Sequence, residues 1–162
     1  MEIERKFTLK ELPQNLESYP CHIIEQAYLN TSPVVRIRQQ DDSYYLTYKG
    51  SGLMAREEYN LPLDKASYHH LLEKADGNVI SKKRYVIPLE NPRFTSDFVP
   101  LSTPNLVVEL DVFAPPFAPL IMAEVEFPSK EMANAFLPPD WFDEDVTMNP
   151  EYHNSTMSRK IL

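Results

Sequence analysis

Glycine is almost missing from this chain: three residues in 162, at Gly50, Gly52 and Gly77. A loop that wraps phosphates in backbone N–H groups needs several glycines, so neither a P-loop nor a dinucleotide-binding fingerprint can be written here. If phosphates are bound, side chains must hold them. Cysteine is limited to Cys21, which excludes an intrachain disulfide framework and suits a reducing compartment. No apolar run approaches the ~20 residues of a membrane-spanning helix, and the first charged segment begins at residue 2 with no signal-peptide pattern. The expectation is a cytoplasmic protein with no membrane attachment. Positive charge is in deficit, 16 Lys and Arg against 24 Asp and Glu, which argues against general nucleic-acid binding. A local cationic pocket stays compatible with that balance.

What is present is an ordinary globular composition, expected to form one domain over residues 1–162. The chain opens Met1-Glu2-Ile3-Glu4-Arg5-Lys6-Phe7. In an extended strand alternate side chains share a face, so Glu2, Glu4 and Lys6 form one row and Ile3 and Phe7 point the other way. Carboxylates about 7 Å apart along a strand repel unless a cation lies between them, and a hard divalent metal with oxygen ligands is one answer. A solvated strand face of mixed charge is the other.

Further strands are expected over 22–29, 34–38, 44–49, 56–63, 79–87, 106–113 and 120–127, from β-prone residues in period-two alternation between turn signals. Leu9 to Ser18 reads as a short helix or turn. Asp64 caps a helix to about Ala75, with Leu71 and Leu72 facing the core and Gly77 closing it. Pro88 to Asn105 reads as a long excursion loop. A helix from Ser129 to about Phe136 is ended by Pro138-Pro139, and a final helix runs from Asn149 or Pro150 to the terminus.

Like charges recur at i, i+2 through these strands: Glu2/Glu4, Glu109/Asp111 and Glu124/Glu126 are acidic, Arg36/Arg38 and Lys82/Arg84 basic. Like charges in adjacent rows repel, and ordinary solvated faces intersperse signs; here the signs are sorted by strand. If eight strands close into a barrel with these rows outward, the result is a barrel with a striped surface. If the rows face inward, a lumen holds Lys6, Arg36, Arg38, Lys49, Lys82 and Arg84 together with Glu2, Glu4, Glu109, Asp111, Glu124 and Glu126. A barrel of about eight strands has room for one small ligand. The cargo matching that lining is a compact polyanion with divalent metal, because so many buried charges need partners.

Taken together, E-x-E-x-K (Glu2, Glu4, Lys6), R-x-R (Arg36, Arg38), the lysine of Tyr48-Lys49, K-x-R-Y (Lys82, Arg84, Tyr85), E-L-D-V-F (Glu109 to Phe113) and E-V-E-F (Glu124 to Phe127) make the chain resemble the CYTH-domain, or triphosphate tunnel metalloenzyme, family. The closest resemblance is to its short bacterial inorganic triphosphatases. It runs nearly end to end and implies an α+β fold: an eight-stranded antiparallel β-barrel, or tunnel, with helices packed outside and a helix at the C-terminus. It also implies Mg2+ or Mn2+ as cofactor, held by Glu2, Glu4, Glu124 and Glu126. Phosphate oxygens would be bound by Lys6, Arg36, Arg38, Lys49, Lys82 and Arg84, with Glu58, Glu109 and Asp111 also lining the tunnel. Glu4, Lys49 and Tyr28 are the implied catalytic residues, Tyr28 being equally readable as a packed strand tyrosine.

Some positions depart from the family pattern. A second E-x-E of the fifth strand reads Glu58-Tyr59-Asn60, the 88–105 excursion is long, and near the C-terminus Asp143 and Asn149-Pro150-Glu151-Tyr152 replace a glycine and an aspartate-x-arginine-tyrosine run.

The activity implied is metal-dependent hydrolysis of inorganic triphosphate to pyrophosphate and phosphate. Alternatives are a class IV adenylate cyclase, a module that binds polyphosphate or nucleoside triphosphate without turnover, and, more weakly, a thiamine triphosphatase. The partner is a triphosphate-bearing small molecule, and the chain is equally compatible with a monomer or homodimer. His22, His69, His70 and His153 lack metal-ligand spacing and are assigned to the surface. Met122, Met132 and Phe136 are core candidates, Cys21 is an inert thiol, and Arg159 and Lys160 favour a helix C-terminus.

Overall fold

The computed structural model describes residues 1–162. Its strands are β1 (Glu2–Thr8), β2 (Cys21–Thr31), β3 (Val34–Gln40), β4 (Ser43–Lys49), β5 (Ala55–Arg56), β6 (Glu58–Leu63), β7 (Asp76–Pro88), β8 (Arg93–Phe94), β9 (Val107–Phe113), β10 (Ile121–Glu126) and β11 (Phe136–Leu137). The helices are α1 (Lys65–Leu72), α2 (Lys130–Ala135) and α3 (Asn154–Met157). A nine-stranded sheet runs β5-β1-β10-β9-β7-β2-β3-β4-β6, and every neighbouring pair is antiparallel.

The two ends of that sheet are consecutive in the chain. Only Glu57 separates β5 from β6, so the expected fifth strand bends there and pairs with β1 on one side (Glu2 opposite Arg56) and with β4 on the other (Lys49 opposite Glu58). The Gly50 N–H donates to the Glu57 carbonyl at 3.0 Å and the Glu4 N–H to the Met54 carbonyl at 3.0 Å, stitching the seam. The sheet thereby wraps almost completely around a tunnel, as the alternating charged rows require once they face inward.

The main hydrophobic core lies outside the tunnel. Ile3, Phe7, Val108, Leu110, Ala123 and Val125 turn outward from β1, β9 and β10 and are covered by Met132 and Ala133 of α2, with Phe136 and Phe142 beyond it. A second cluster places Tyr68 of α1 on Ala27 and Ile37. The inward rows turn apolar at one end: Ile80 precedes Lys82 and Arg84, Met122 precedes Glu124 and Glu126, and Phe113 follows Glu109 and Asp111. Those apolar residues pack with Tyr28, Val34, Val146 and Met157, closing that end of the tunnel.

The helices differ in detail from expectation. Asp64 caps α1 as predicted, accepting from the Ser67 N–H at 2.6 Å, but the helix stops at Leu72. Its fully buried residue is Tyr68, while Leu71 and Leu72 are only partly buried. Gly77 does not close the helix; it lies in β7 at φ +76°, where any Cβ would overlap the Ser158 carbonyl oxygen. The glycine makes room for the C-terminal segment, whose Ser158 carbonyl accepts from Asn78 N–H at 2.6 Å.

The 88–105 excursion is not wholly irregular: β8 pairs with β11, and Phe94 packs on Phe98 and Phe136. Phe136 therefore leaves α2 for an extended conformation before the Pro138-Pro139 stop is reached. The expected final helix is broken into a 3-10 turn at Pro150–Tyr152 and the single turn of α3. No helix is long and apolar enough to cross a membrane.

Candidate active site

The tunnel encloses a cavity of about 440 Å³ with an almost wholly polar lining. Glu2, Glu4, Lys6, Tyr28, Arg36, Arg38, Lys49, Glu58, Lys82, Arg84, Glu109, Glu124 and Glu126 all face it. Asp111 sits just behind that surface, fully buried. The period of two explains the convergence: each charged pair occupies alternate positions of a strand whose other face is packed on a core or a helix.

Sheet order turns sorting by strand into sorting by wall. The acidic pairs lie on β1, β10 and β9, three consecutive strands, and the basic pairs on β7 and β3, with Lys49 beside them on β4. Three residues cross over, Lys6 and Arg56 on the acidic side and Glu58 near the basic one. The cationic and acidic side chains balance in number once Arg56 is counted. A naked polyanion would unbalance such a lumen, whereas an anion arriving with divalent cations would not.

The cations have unequal partners. Asp111 accepts from Arg84 Nε at 2.8 Å and Nη2 at 2.9 Å, and lies 2.8 Å from Lys82 Nζ. Lys6 Nζ sits 3.6 Å from Glu124 and 3.9 Å from Glu4. Lys49 Nζ bridges the seam, donating to Glu2 at 2.8 Å and lying 3.2 Å from Glu58. Arg36 and Arg38, both buried, face only neutral groups. Arg36 donates to Thr47 Oγ1 at 3.3 Å and its buried Nε has no partner; Arg38 donates to Gln26 Oε1 at 2.8 and 2.6 Å and to Tyr45 Oη at 3.3 Å. A buried guanidinium N–H without an acceptor is costly and marks where an anion fits.

Proton affinities follow this map. Burial pushes Glu2 up to about 8, helped by its hydrogen bond with Glu58 and by repulsion from Glu4, against the pull of Lys49. Burial also raises Glu4, and repulsion from Glu124 adds to it. Glu124 resists the same burial because Lys6, Arg84 and Lys82 surround it, and it stays well below the usual carboxylate range. Of the two, Glu4 is therefore the one that takes up a proton more readily. On the basic wall, burial, with Arg84 and Arg38 nearby, lowers Lys82 to about 7 despite the attraction of Asp111.

The carboxylates are all-oxygen donors, the chemistry that Mg2+ or Mn2+ prefers, and the repulsion between Glu4 and Glu124 that raises Glu4 is what a divalent cation would relieve. Glu4 on β1 has Glu126 directly opposite it on β10, and Glu124, opposite Lys6, is its diagonal neighbour. As they stand no three acidic, histidine or cysteine side chains converge on one point, since Glu2 is turned toward Lys49.

Tyr28 lines the cavity and also packs in the cluster that closes its end. The Lys49 ammonium is engaged by Glu2 and Glu58. Asn60 accepts from Thr47 Oγ1 at 2.6 Å and donates to Glu58 at 3.0 Å.

Sequence reasoning missed several lining groups. Arg56 faces the cavity 3.8 Å from Glu2; its parity with Glu58 and Asn60 was the available signal. Asn154 and Ser155 reach in from α3, and Gln26 is fully buried beside Arg38; no pattern marks these three. His153, assigned to the surface, is buried instead, with Nε2 3.2 Å from the Thr147 carbonyl. A carbonyl only accepts, so Nε2 carries the proton; burial, then repulsion from Lys6, lowers the ring to about 4. Of the expectations off the tunnel, Met122, Met132 and Phe136 are buried as core candidates should be; Cys21 is an exposed free thiol.

An antiparallel tunnel lined by sorted charges is the architecture of one recognisable class of protein, and comparison bears that out. The family model described as the CYTH domain matches residues 1–112, and the chain belongs to that family. It is 35% identical to an inorganic triphosphatase of Nitrosomonas europaea over 99% of this chain and 98% of the relative. It is 31% identical to an inorganic triphosphatase of Acetivibrio thermocellus over 96% and 92% of the two chains. The crystal structure of the inorganic triphosphatase NE1496 superposes with a TM-score of 0.69 at 32% identity, covering 99% of this chain and 96% of that one.

Proposed function

We propose that this chain is a metal-dependent triphosphatase that hydrolyses inorganic triphosphate to pyrophosphate and phosphate inside the tunnel. The observation that carries the reading is the pair Arg36 and Arg38, two buried guanidinium groups with neutral partners only, facing an acidic wall across a cavity of about 440 Å³. The identity to two inorganic triphosphatases over nearly the whole chain supports it.

In this reading Arg36 and Arg38 grip phosphate oxygens as planar forks while Lys6, Lys49, Lys82 and Arg84 supply the remaining positive charge. Glu2, Glu4, Glu124 and Glu126 hold Mg2+ or Mn2+. When bound, the metal neutralises phosphate oxygens and lowers the pKa of water. Glu4 orients the attacking water, whose oxygen joins the terminal phosphorus as the bridging P–O bond breaks, the electron pair of that bond leaving on pyrophosphate and the proton shed by the water passing to a phosphate oxygen. Lys49 steadies the charge on the leaving group, with Tyr28 as a hydrogen-bond donor lining the same lumen, and would be released from Glu2 if that carboxylate held the cation.

A second reading has one observation in its favour. An apolar cleft lined by Phe98, Val99, Leu101 and Met132 shares Glu126 with the tunnel mouth, a place for the organic group of a substrate such as ATP. Incubation with inorganic triphosphate and, separately, with ATP, each with Mg2+, Mn2+ or a chelator, separates the two when phosphate, pyrophosphate and cyclic AMP are assayed. Metal-dependent release of phosphate from inorganic triphosphate is the expected result; cyclic AMP as the main product refutes it, and binding without any product leaves only a sequestering module.

A further inference from the structure

Gln26 and Asn154 form a neutral chain between two of the tunnel's cations. Gln26 is fully buried on β2, directly across the ladder from Arg38. Its Oε1 accepts from Nε and Nη2 of Arg38, at 2.8 and 2.6 Å, and its Nε2 donates to Asn154 Oδ1 at 2.9 Å. The same Asn154 oxygen accepts from Lys82 Nζ at 3.0 Å. Arginine can only donate, so the Gln26 oxygen must face it and its amide nitrogen must face Asn154; that fixes both amides.

The contrast with Arg84 gives this chain its meaning. Arg84 is held from behind by Asp111, and the carboxylate cancels its charge as it aims it. Gln26 aims Arg38 through the same kind of two-point contact while cancelling nothing. Of the five guanidinium N–H groups, those on Nε and one side of Nη2 are absorbed by Gln26 and one on Nη1 donates to the Tyr45 hydroxyl at 3.3 Å, so that the rest of the fork lines the cavity with its charge uncancelled.

We infer that Gln26 is a positioning residue, which holds the Arg38 guanidinium aimed at the substrate's phosphate oxygens without neutralising it, and that Asn154 ties this aim to Lys82 and to the C-terminal helix. The inference rests on the triphosphate reading of the tunnel.

Three variants test it, with dissociation constants for inorganic triphosphate measured by calorimetry without metal, KM and kcat measured with Mg2+, and a thermal melt for each. Gln26→Met removes both contacts at similar volume, and the expected result is a rise of about tenfold in dissociation constant and KM, with kcat changed less than about threefold. Gln26→Glu keeps the acceptor for Arg38 but loses the donor to Asn154 Oδ1, and it is expected to weaken triphosphate binding at least as much, because it pairs off the charge. Asn154→Ala is expected to give a smaller rise of the same kind.

A residue that merely packs would give the opposite order, with Gln26→Glu binding like the unaltered chain, and that result overturns the inference. So does a Gln26→Met variant that melts lower but keeps its KM. If the unaltered chain itself binds no triphosphate, the reading of the tunnel falls and this inference with it; the unaltered control therefore tells the two failures apart.

Discussion

Asp111→Asn should weaken the protein and strengthen its hold on anions at the same time. Asp111 is fully buried, accepts twice from Arg84 and contacts Lys82. Burial opposes its ionisation, but Arg84 and Lys82 prevail and keep it charged. An asparagine there turns its NH2 toward one of those donors, leaves Lys82 without its carboxylate, and leaves Arg84 with only Glu109 at 3.1 Å and Glu124 at 4.0 Å. Breaking one side of such a buried pair costs about 3–5 kcal/mol, which for a chain of this size lowers the melting temperature by roughly 10 °C. At a pH low enough to keep Lys82 protonated, which without Asp111 lies below about 7, the lumen meanwhile gains one unit of positive charge. Acting at roughly 8 Å through an effective dielectric near 20, that is about 2 kcal/mol per phosphate charge, so triphosphate should bind at least about tenfold more tightly. Thermal melts with and without triphosphate read both effects, since a tighter ligand lifts the variant's melting temperature further than that of the unaltered chain. A variant that melts within about 2 °C of the original, or that folds and binds triphosphate less well, refutes this account of the lumen.

The remaining predictions concern the acidic wall, the buried histidine and the C-terminal anchor. Glu4→Ala is expected to abolish turnover while leaving circular dichroism and melting near those of the unaltered chain, because Glu4 lines the cavity and not the apolar core; metal-stimulated hydrolysis by that variant would remove Glu4 from the site. His153 has a folded pKa of about 4 against an ordinary 6.5, so between those values the unfolded chain binds more protons and stability falls as pH drops through the window. Denaturant titrations from pH 7 to 4 should show that loss, and His153→Gln, which keeps a donor for the Thr147 carbonyl, should flatten it; an unchanged slope in the variant counts against the assignment. Gly77→Ala should cost about 1–3 kcal/mol, from positive φ and the clash with the Ser158 carbonyl, and limited proteolysis should then cut near the C-terminus; equal resistance would show that Gly77 does not anchor this segment.

Much of the tunnel is legible in the sequence for one physical reason. A strand has a period of two, so a like-charged pair at i, i+2 backed by apolar neighbours declares which of its faces is the core, and the repetition of that pattern is hard to reconcile with a solvated surface. Even the Glu58–Asn60 row could be placed in this way. Where no period exists the sequence is mute. Pro88 to Asn105 offers no alternation to read, and the pairing of Arg93–Phe94 with Phe136–Leu137 joins segments far apart in the chain. Gly77 illustrates a signal misassigned: glycine after a helix ordinarily caps it, but here the demand comes from Ser158, a residue no local window contains.

The amino-acid order alone determined most of the strands and which side chains share a face in each, and hence which charges stand together; that those faces turn inward is a property of the closed sheet. Only the tertiary structure decided how those charges meet. Strand order places β1, β10 and β9 side by side and so gathers the acids into one wall; the bend at Glu57 joins the sheet's ends and puts Lys49 between Glu2 and Glu58. The same packing buries His153 and sets Gln26 and Asn154 behind Arg38 and Lys82. Local alternation fixes which way a side chain points, but its partners are set by pairings between distant segments, whose free energy is not written in any one of them.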